Sequence, residues 1–199
     1  MRIISGKFKS RKLISPSTNL TRPTSDRARE SMFNIIQSLK QAFFEDTSVL
    51  DAFAGSGALG FEALSRGAKH VTFIENNPQT AKTIKENIAN FHSEPYCTLI
   101  VGDATKPPKA RHPMHLVFLD PPYNLHSEDV CLLVLQEQGW INNETLIILE
   151  TSQKGTLKLP PNVQLIDQRR YGAALVTFCR FIRDDLIGDD LIHDDKGDQ

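Results

Sequence analysis

From residue 48 onward, short apolar runs alternate with stretches in which apolar residues recur every three or four positions. SVLDAF (48–53), HVTFIE (70–75), CTLIVGD (97–103), HLVFLD (115–120) and ETLIILET (144–151) have the length and side chains of buried strands. Between them, SGALGFEALSRG (56–67) predicts a helix stopped by Gly67. Asn77 caps a second with Pro78 at its first position, and Ala81, Ile84 and Ile88 face inward. SEDVCLLVLQEQG (127–139) predicts a third. VQLIDQRRYG and AALVTFCRF lie back to back around Gly172 and predict an antiparallel pair. Earlier in the chain, a helix opens at Thr24, Ser25 or Asp26, with Ala28, Met32, Ile35 and Leu39 on one face and Phe33 and Ile36 widening it. RIIS and RKLI, around Gly6 and Lys7, can pair as a small basic hairpin, joined to that helix by the irregular NLTRPT.

Strands that alternate with helices argue for an α/β fold, an open and mostly parallel sheet covered on both faces. Right-handed crossovers then bring all the parallel strands' C-termini to one edge, where such folds bind ligands. Asp51, Glu75, Asp103 and Asp120 stand at four successive strand ends. One acid at one strand end is unremarkable; four in order point to a built site.

The glycine pattern Gly55-x-Gly57-x-x-Gly60 follows the first strand and opens a helix. Glycines there let the backbone approach a ligand, a need shared by NAD, FAD and S-adenosyl-L-methionine (SAM) sites. The acids separate these. A carboxylate at Asp51 repels a pyrophosphate and attracts the ammonium group of SAM. Glu75 can accept from both ribose hydroxyls. Asp103 can accept from an adenine amine while the Ala104 N–H donates to the ring. Thr24, at the start of the first helix, places free N–H groups where a carboxylate of the ligand could sit, although an ordinary capped helix explains the same residues.

The fourth strand ends in LDPPYN (119–124). Adjacent prolines lack N–H groups and fix φ, so the chain leaves the strand and stiffens at once. An exocyclic base amine is a poor nucleophile because its lone pair is delocalised. Two acceptors, the Asp120 carboxylate and the Pro121 carbonyl, can bind its hydrogens and aim the lone pair. Tyr123 offers a face on which a flipped-out base stacks.

Charge changes the picture at the two ends. The 199-residue chain carries a net charge of −1, yet residues 1–30 hold eight Lys/Arg against Asp26 and Glu30, and residues 184–199 hold seven Asp against Lys196. Arg2, Lys7, Lys9, Arg11, Lys12 and Arg22 form a basic arm suited to phosphates flanking the target base. The repeated DDLI of the tail matches neither helix nor strand period and reads as a mobile extension. Three scattered cysteines without C-x-x-C predict reduced thiols and no metal site. The absence of a signal-like apolar segment near residue 1 predicts a cytoplasmic protein with no membrane contact.

The blocks RPTSDRARESMFN (22–34), LDAFAGSGALGFEALSRGA (50–68), FIE, GDA and FLDPPY, with the basic RIISGKFKSRKL, resemble the RsmD family of ribosomal RNA guanine-N2 methyltransferases. The resemblance runs from about residue 1 to 182. It implies a Rossmann-like seven-stranded SAM-dependent methyltransferase fold over residues 23–183, preceded by the hairpin arm (1–22) and followed by the acidic tail (184–199). It further implies methyl transfer to a guanine N2 of 16S rRNA within small-subunit particles or assembly intermediates, with S-adenosyl-L-homocysteine as product; a monomer is expected. Asp120, Pro121 and Tyr123 would hold the base, and Asp51, Gly55, Gly57, Glu75 and Asp103 the cofactor. An adenine-N6 or glutamine-N5 methyltransferase, or a non-catalytic nucleotide-binding protein, shares parts of these motifs.

Overall fold

The computed structural model describes residues 1–15, 26–39, 44–121, 128–153 and 159–182. The five apolar runs become β1 (Ser48–Asp51), β2 (His70–Glu75), β3 (Cys97–Val101), β4 (Leu116–Leu119) and β5 (Leu146–Ser152), and the final pair becomes β6 (Val163–Tyr171) and β7 (Ala174–Phe181). They form one seven-stranded sheet in the order β3-β2-β1-β4-β5-β7-β6. The first five strands are parallel; β7 inserts antiparallel between β5 and β6, with a register irregularity between Leu165 and Asp167.

The pleat divides the core. Val49, Phe73, Phe118 and Ile148 face one side, where α1 (Asp26–Leu39), α2 (Ala58–Ser65) and α3 (Pro78–Asn90) cover them. Leu50, Val117, Leu119, Ile147 and Leu149 face the other, where Leu132 and Leu135 of α4 (Glu128–Glu137) pack with Trp140 and Ile141. Local chemistry sets the helix starts. Asn77 accepts from the N–H groups of Gln79 and Thr80 at 2.9 and 3.1 Å, with Pro78 at the first position of α3. Cys131 and Cys179 are buried and Cys97 half-buried; all three are free thiols.

Two expectations change. The buried face of α1 runs through Ala28, Arg29, Met32, Phe33 and Ile36, whereas Leu39 is exposed. Arg29, a member of the basic end, is only 1% exposed. Its guanidinium donates to the Arg2 carbonyl at 2.6 Å and to Asp26 at 2.9 Å, and lies 4.0 Å from Glu62. Burial makes it costly to leave such a charge unpaired, so it is tied to the N-terminal segment instead of facing solvent.

The basic hairpin, too, is more deeply integrated than a solvated arm. Residues 2 and 12 form a single antiparallel bridge. Ile3, Phe8 and Leu13 enter the core. Gly6 adopts φ +80, and a Cβ there would lie 1.8 Å from the Ser65 carbonyl oxygen, so the turn requires glycine at this close approach.

Candidate active site

Strand register brings the predicted acids together. Asp51 pairs opposite Phe73 on β2 and Phe118 on β4, so the pleat puts Asp51 on the α1–α3 side of the sheet. Two residues beyond those phenylalanines stand Glu75 and Asp120. All three acids therefore project from the same face at the C-terminal edge.

The glycine loop is built against them. Gly57 caps α2 with φ 78, and Gly55 has φ 53. Among the described residues, a Cβ at Gly55 would meet nothing closer than the Phe53 carbonyl at 4.0 Å, which leaves room for a ligand above the loop. At Gly60 the need is different: a Cβ would lie 2.3 Å from the Phe73 ring, so glycine permits α2 to sit close to β2. Asp51 accepts from the Gly60 N–H at 2.9 Å. Burial pushes its carboxyl up to about 7, with Glu75 adding to the rise and the Gly60 hydrogen bond opposing it. Glu75 accepts from Gly55 N–H and Asn77 N–H, each at 2.8 Å, with separate oxygens. It thereby clamps the loop between β1 and α2 to the end of β2. A carboxylate has about four acceptor positions, so capacity remains for a diol.

Asp103 lies two residues past β3 and is exposed. One of its oxygens accepts from the Thr105 N–H at 2.8 Å and hydroxyl at 2.7 Å, and these bonds hold its carboxyl below the usual range. Ala104 beside it is buried. Asp120 is half-buried and Pro121 buried. Desolvation, then the charges of Glu150 and Asp51, raise Asp120 well above an ordinary carboxyl. Glu150 on β5 was not among the predicted site residues. Its signal was visible in the sequence, since ETLIILET also carries an acid where an apolar run reaches the edge.

Thr24, Arg22 and Tyr123, with the second proline of DPPY and the acidic tail, lie outside the described residues. The remaining basic residues are exposed, but not all lie at the acidic edge. The Lys7 N–H bonds to the carbonyl of Ser65, at the end of α2. Its ammonium sits 5.0 Å over the Tyr96 ring, immediately before β3 begins. Arg11 lies 4.7 Å over Phe91 and donates to the Asn90 carbonyl. The hairpin tip is thus at the opposite end of the strands. Asp103 lies six positions beyond Cys97, up to about 20 Å along the chain. Lys7 and Arg11 therefore lie well away from the acids at the C-terminal edge, not beside them.

Among the described residues, no group of His, Cys, Asp or Glu is arranged to hold a metal, and no helix is long and apolar enough to cross a membrane. The donor set suits a different ligand: an acid for a cation, an acid for a diol and an acid for an amine, over a glycine loop with space above it.

This sheet order, with its reversed β7 and its acid-lined edge, defines the Rossmann-like methyltransferase class. TrmN from Thermus thermophilus shares the fold, with a TM-score of 0.63 at 18% identity over 78% of this chain and 48% of that one. The likeness is nearer to yhhF from Escherichia coli, with a TM-score of 0.79 at 32% identity over 91% and 97% of the two chains. The chain belongs to the RsmD family, whose model, described as "Conserved hypothetical protein 95", matches residues 1–180. It is 34% identical to "Ribosomal RNA small subunit methyltransferase D" of Haemophilus influenzae, over 86% of this chain and 89% of that protein. The protein of the same name from Escherichia coli strain K12 is also 34% identical, over 83% and 82%.

Proposed function

We propose that this protein is an rRNA methyltransferase that transfers a methyl group from SAM to the exocyclic N2 of a guanine in 16S rRNA, acting on small-subunit particles or their assembly intermediates. The observation that carries this reading is the convergence of Asp51, Glu75 and Asp120 on one face of one sheet edge. It supports reading a cation-and-diol site beside an amine-acceptor site. The names of the curated relatives support the substrate.

When bound, SAM supplies a methyl group on an electrophilic sulfonium. Asp51 would face its ammonium, Glu75 its ribose hydroxyls, and Asp103 with the Ala104 N–H its adenine. Thr24, outside the described residues, is the proposed place for N–H groups that would take its carboxylate. Ionised Asp120 and the Pro121 carbonyl accept the two hydrogens of the base amine and turn its lone pair toward the methyl group. Tyr123, outside the described residues, would supply the stacking face for the base. As the amine gains the methyl it must lose one proton, and Asp120, whose burial favours the protonated form, can take it. Holding the two reactants in this geometry supplies much of the rate. Arg2, Lys7, Lys9, Arg11, Lys12 and Arg22 contact phosphates and position the RNA without reading bases.

The test uses labelled SAM with hypomethylated small-subunit RNA or particles, followed by nucleoside mapping. N2-methylguanosine at one position is expected. Asp120→Ala should keep SAM affinity and lose single-turnover transfer by orders of magnitude. Label on adenine, on protein or on nothing would reject the assignment.

A further inference from the structure

We propose that Glu150 selects guanine by accepting its ring N1–H beside the amine held by Asp120. This inference rests on the guanine-N2 reading above and names a residue that the DPPY stretch does not contain.

The register carries it. On adjacent parallel strands, Leu119 pairs opposite Leu149. Asp120 and Glu150 follow at the next position of each strand. Phe118 and Ile148 belong to the core on the α1–α3 side, so the residues two positions on return to that same side. Neighbouring strands are about 4.8 Å apart. Two carboxylates therefore stand next to each other where a flipped base would enter, with Asp51 on the far side of Asp120.

Base chemistry gives that pair a meaning. Along its Watson–Crick edge, guanine presents the N2 amine and the N1–H as adjacent donors. Adenine presents its amine beside an N1 lone pair, and cytosine its amine beside an N3 lone pair. Ionised carboxylates accept only. Two of them side by side match guanine and oppose a lone pair, and flipped bases are read by hydrogen bonds to this edge.

The composition of β5 agrees. Leu146, Ile147, Ile148 and Leu149 are buried and apolar, and the strand then places an acid that is 7% exposed. Burying a carboxylate beside Asp120 and Asp51 is unfavourable unless hydrogen-bond donors offset it. Burial first, and then the charges of Glu150 and Asp51, raise the Asp120 carboxyl. Glu150 already interacts within the protein, and its several lone pairs leave capacity for one more donor.

The experiment compares single-turnover transfer to RNA carrying guanine or 2-aminopurine at the mapped target position. 2-Aminopurine keeps the amine and replaces N1–H by a lone pair. Wild type should favour guanine by about tenfold to a hundredfold, the range for one hydrogen bond to a charged group. Glu150→Ala should reduce that preference to near unity, mainly by slowing transfer to guanine. Because 2-aminopurine also lacks O6, collapse in this variant assigns the preference to N1–H. Glu150→Gln, whose amide oxygen can still accept, should retain much of it. Equal rates for both bases in wild type overturn the proposal and need no variant to fold. A preference undiminished in folded Glu150→Ala overturns it as well. Wild type that methylates no guanine amine at all rejects the parent assignment, and the selector with it.

Discussion

Glu62, wholly buried on α2, holds the backbone N–H of Ile4 at 2.8 Å. The same carboxylate accepts from Ser5 N–H at 3.1 Å and from Arg66 at 2.8 Å, with Arg29 4.0 Å away. One side chain therefore ties the N-terminal segment, α1 and α2 together. Glu62→Ala would remove the carboxylate partner of half-buried Arg66 and of two N–H groups, and would leave buried Arg29 with Asp26 as its remaining acid. A loss of about 3–5 kcal/mol is expected, the range for breaking a buried ion pair from one side. Urea titration measures it, and an unchanged midpoint would contradict the role. Removing residues 1–13 should likewise lower stability, because Ile3, Phe8 and Leu13 leave the core with it. Such a truncation cannot isolate RNA binding.

At Gly60 the tight approach of α2 to β2 predicts a steric penalty. Its Cβ would fall 2.3 Å from Phe73 and 2.8 Å from Val71. Gly60→Ala should cost about 1–3 kcal/mol by overpacking. Phe73→Leu in the same chain should recover part of that loss. Thermal unfolding of the single and double variants checks both statements.

The carboxyl of Asp51 predicts opposite pH trends for stability and for cofactor binding. Its folded pKa of about 7 exceeds the ordinary 3.8, so between these values the folded chain binds more protons than the unfolded one. Stability should therefore fall as pH rises through this window, and Asp51→Asn should remove that contribution. A cationic ligand instead prefers ionised Asp51. SAM affinity should rise as pH climbs through about 7 in wild type and stay nearly flat in Asp51→Asn. Calorimetry between about pH 6 and pH 8 distinguishes the two proteins. A wild-type affinity independent of pH would remove Asp51 from the ammonium site.

Lys9 and Lys12 are exposed and can be changed without opening the core. If both meet phosphate, each Lys→Gln substitution should reduce the salt slope of RNA binding by about 0.7–0.9. SAM affinity should not move. Filter-binding titrations at several salt concentrations provide the slopes, and identical slopes for wild type and the double variant would place the RNA elsewhere.

Much of this architecture was legible because its causes are local. Asn77 and Pro78 start α3 with bonds made inside one turn, and Gly67 follows α2 at its end. The apolar runs that became β1 to β5 need only a buried sheet, not a particular neighbour. The acids Asp51, Glu75 and Asp120 reach one edge because parallel crossovers share a hand. Other features depend on which segments meet. Arg29 reads as one more surface charge beside Asp26 until Arg2, Glu62 and the sheet close over it. The basic hairpin reads as an arm at the active site until α2 and α3 hold its tip at the far end of the strands. Glu150 gains its place beside Asp120 from a pairing between strands about thirty residues apart in sequence. Sequence alone determines hydrogen bonds and turns that close within a few residues. Tertiary structure decides which charges lose water, because desolvation depends on the distant segments that pack over them.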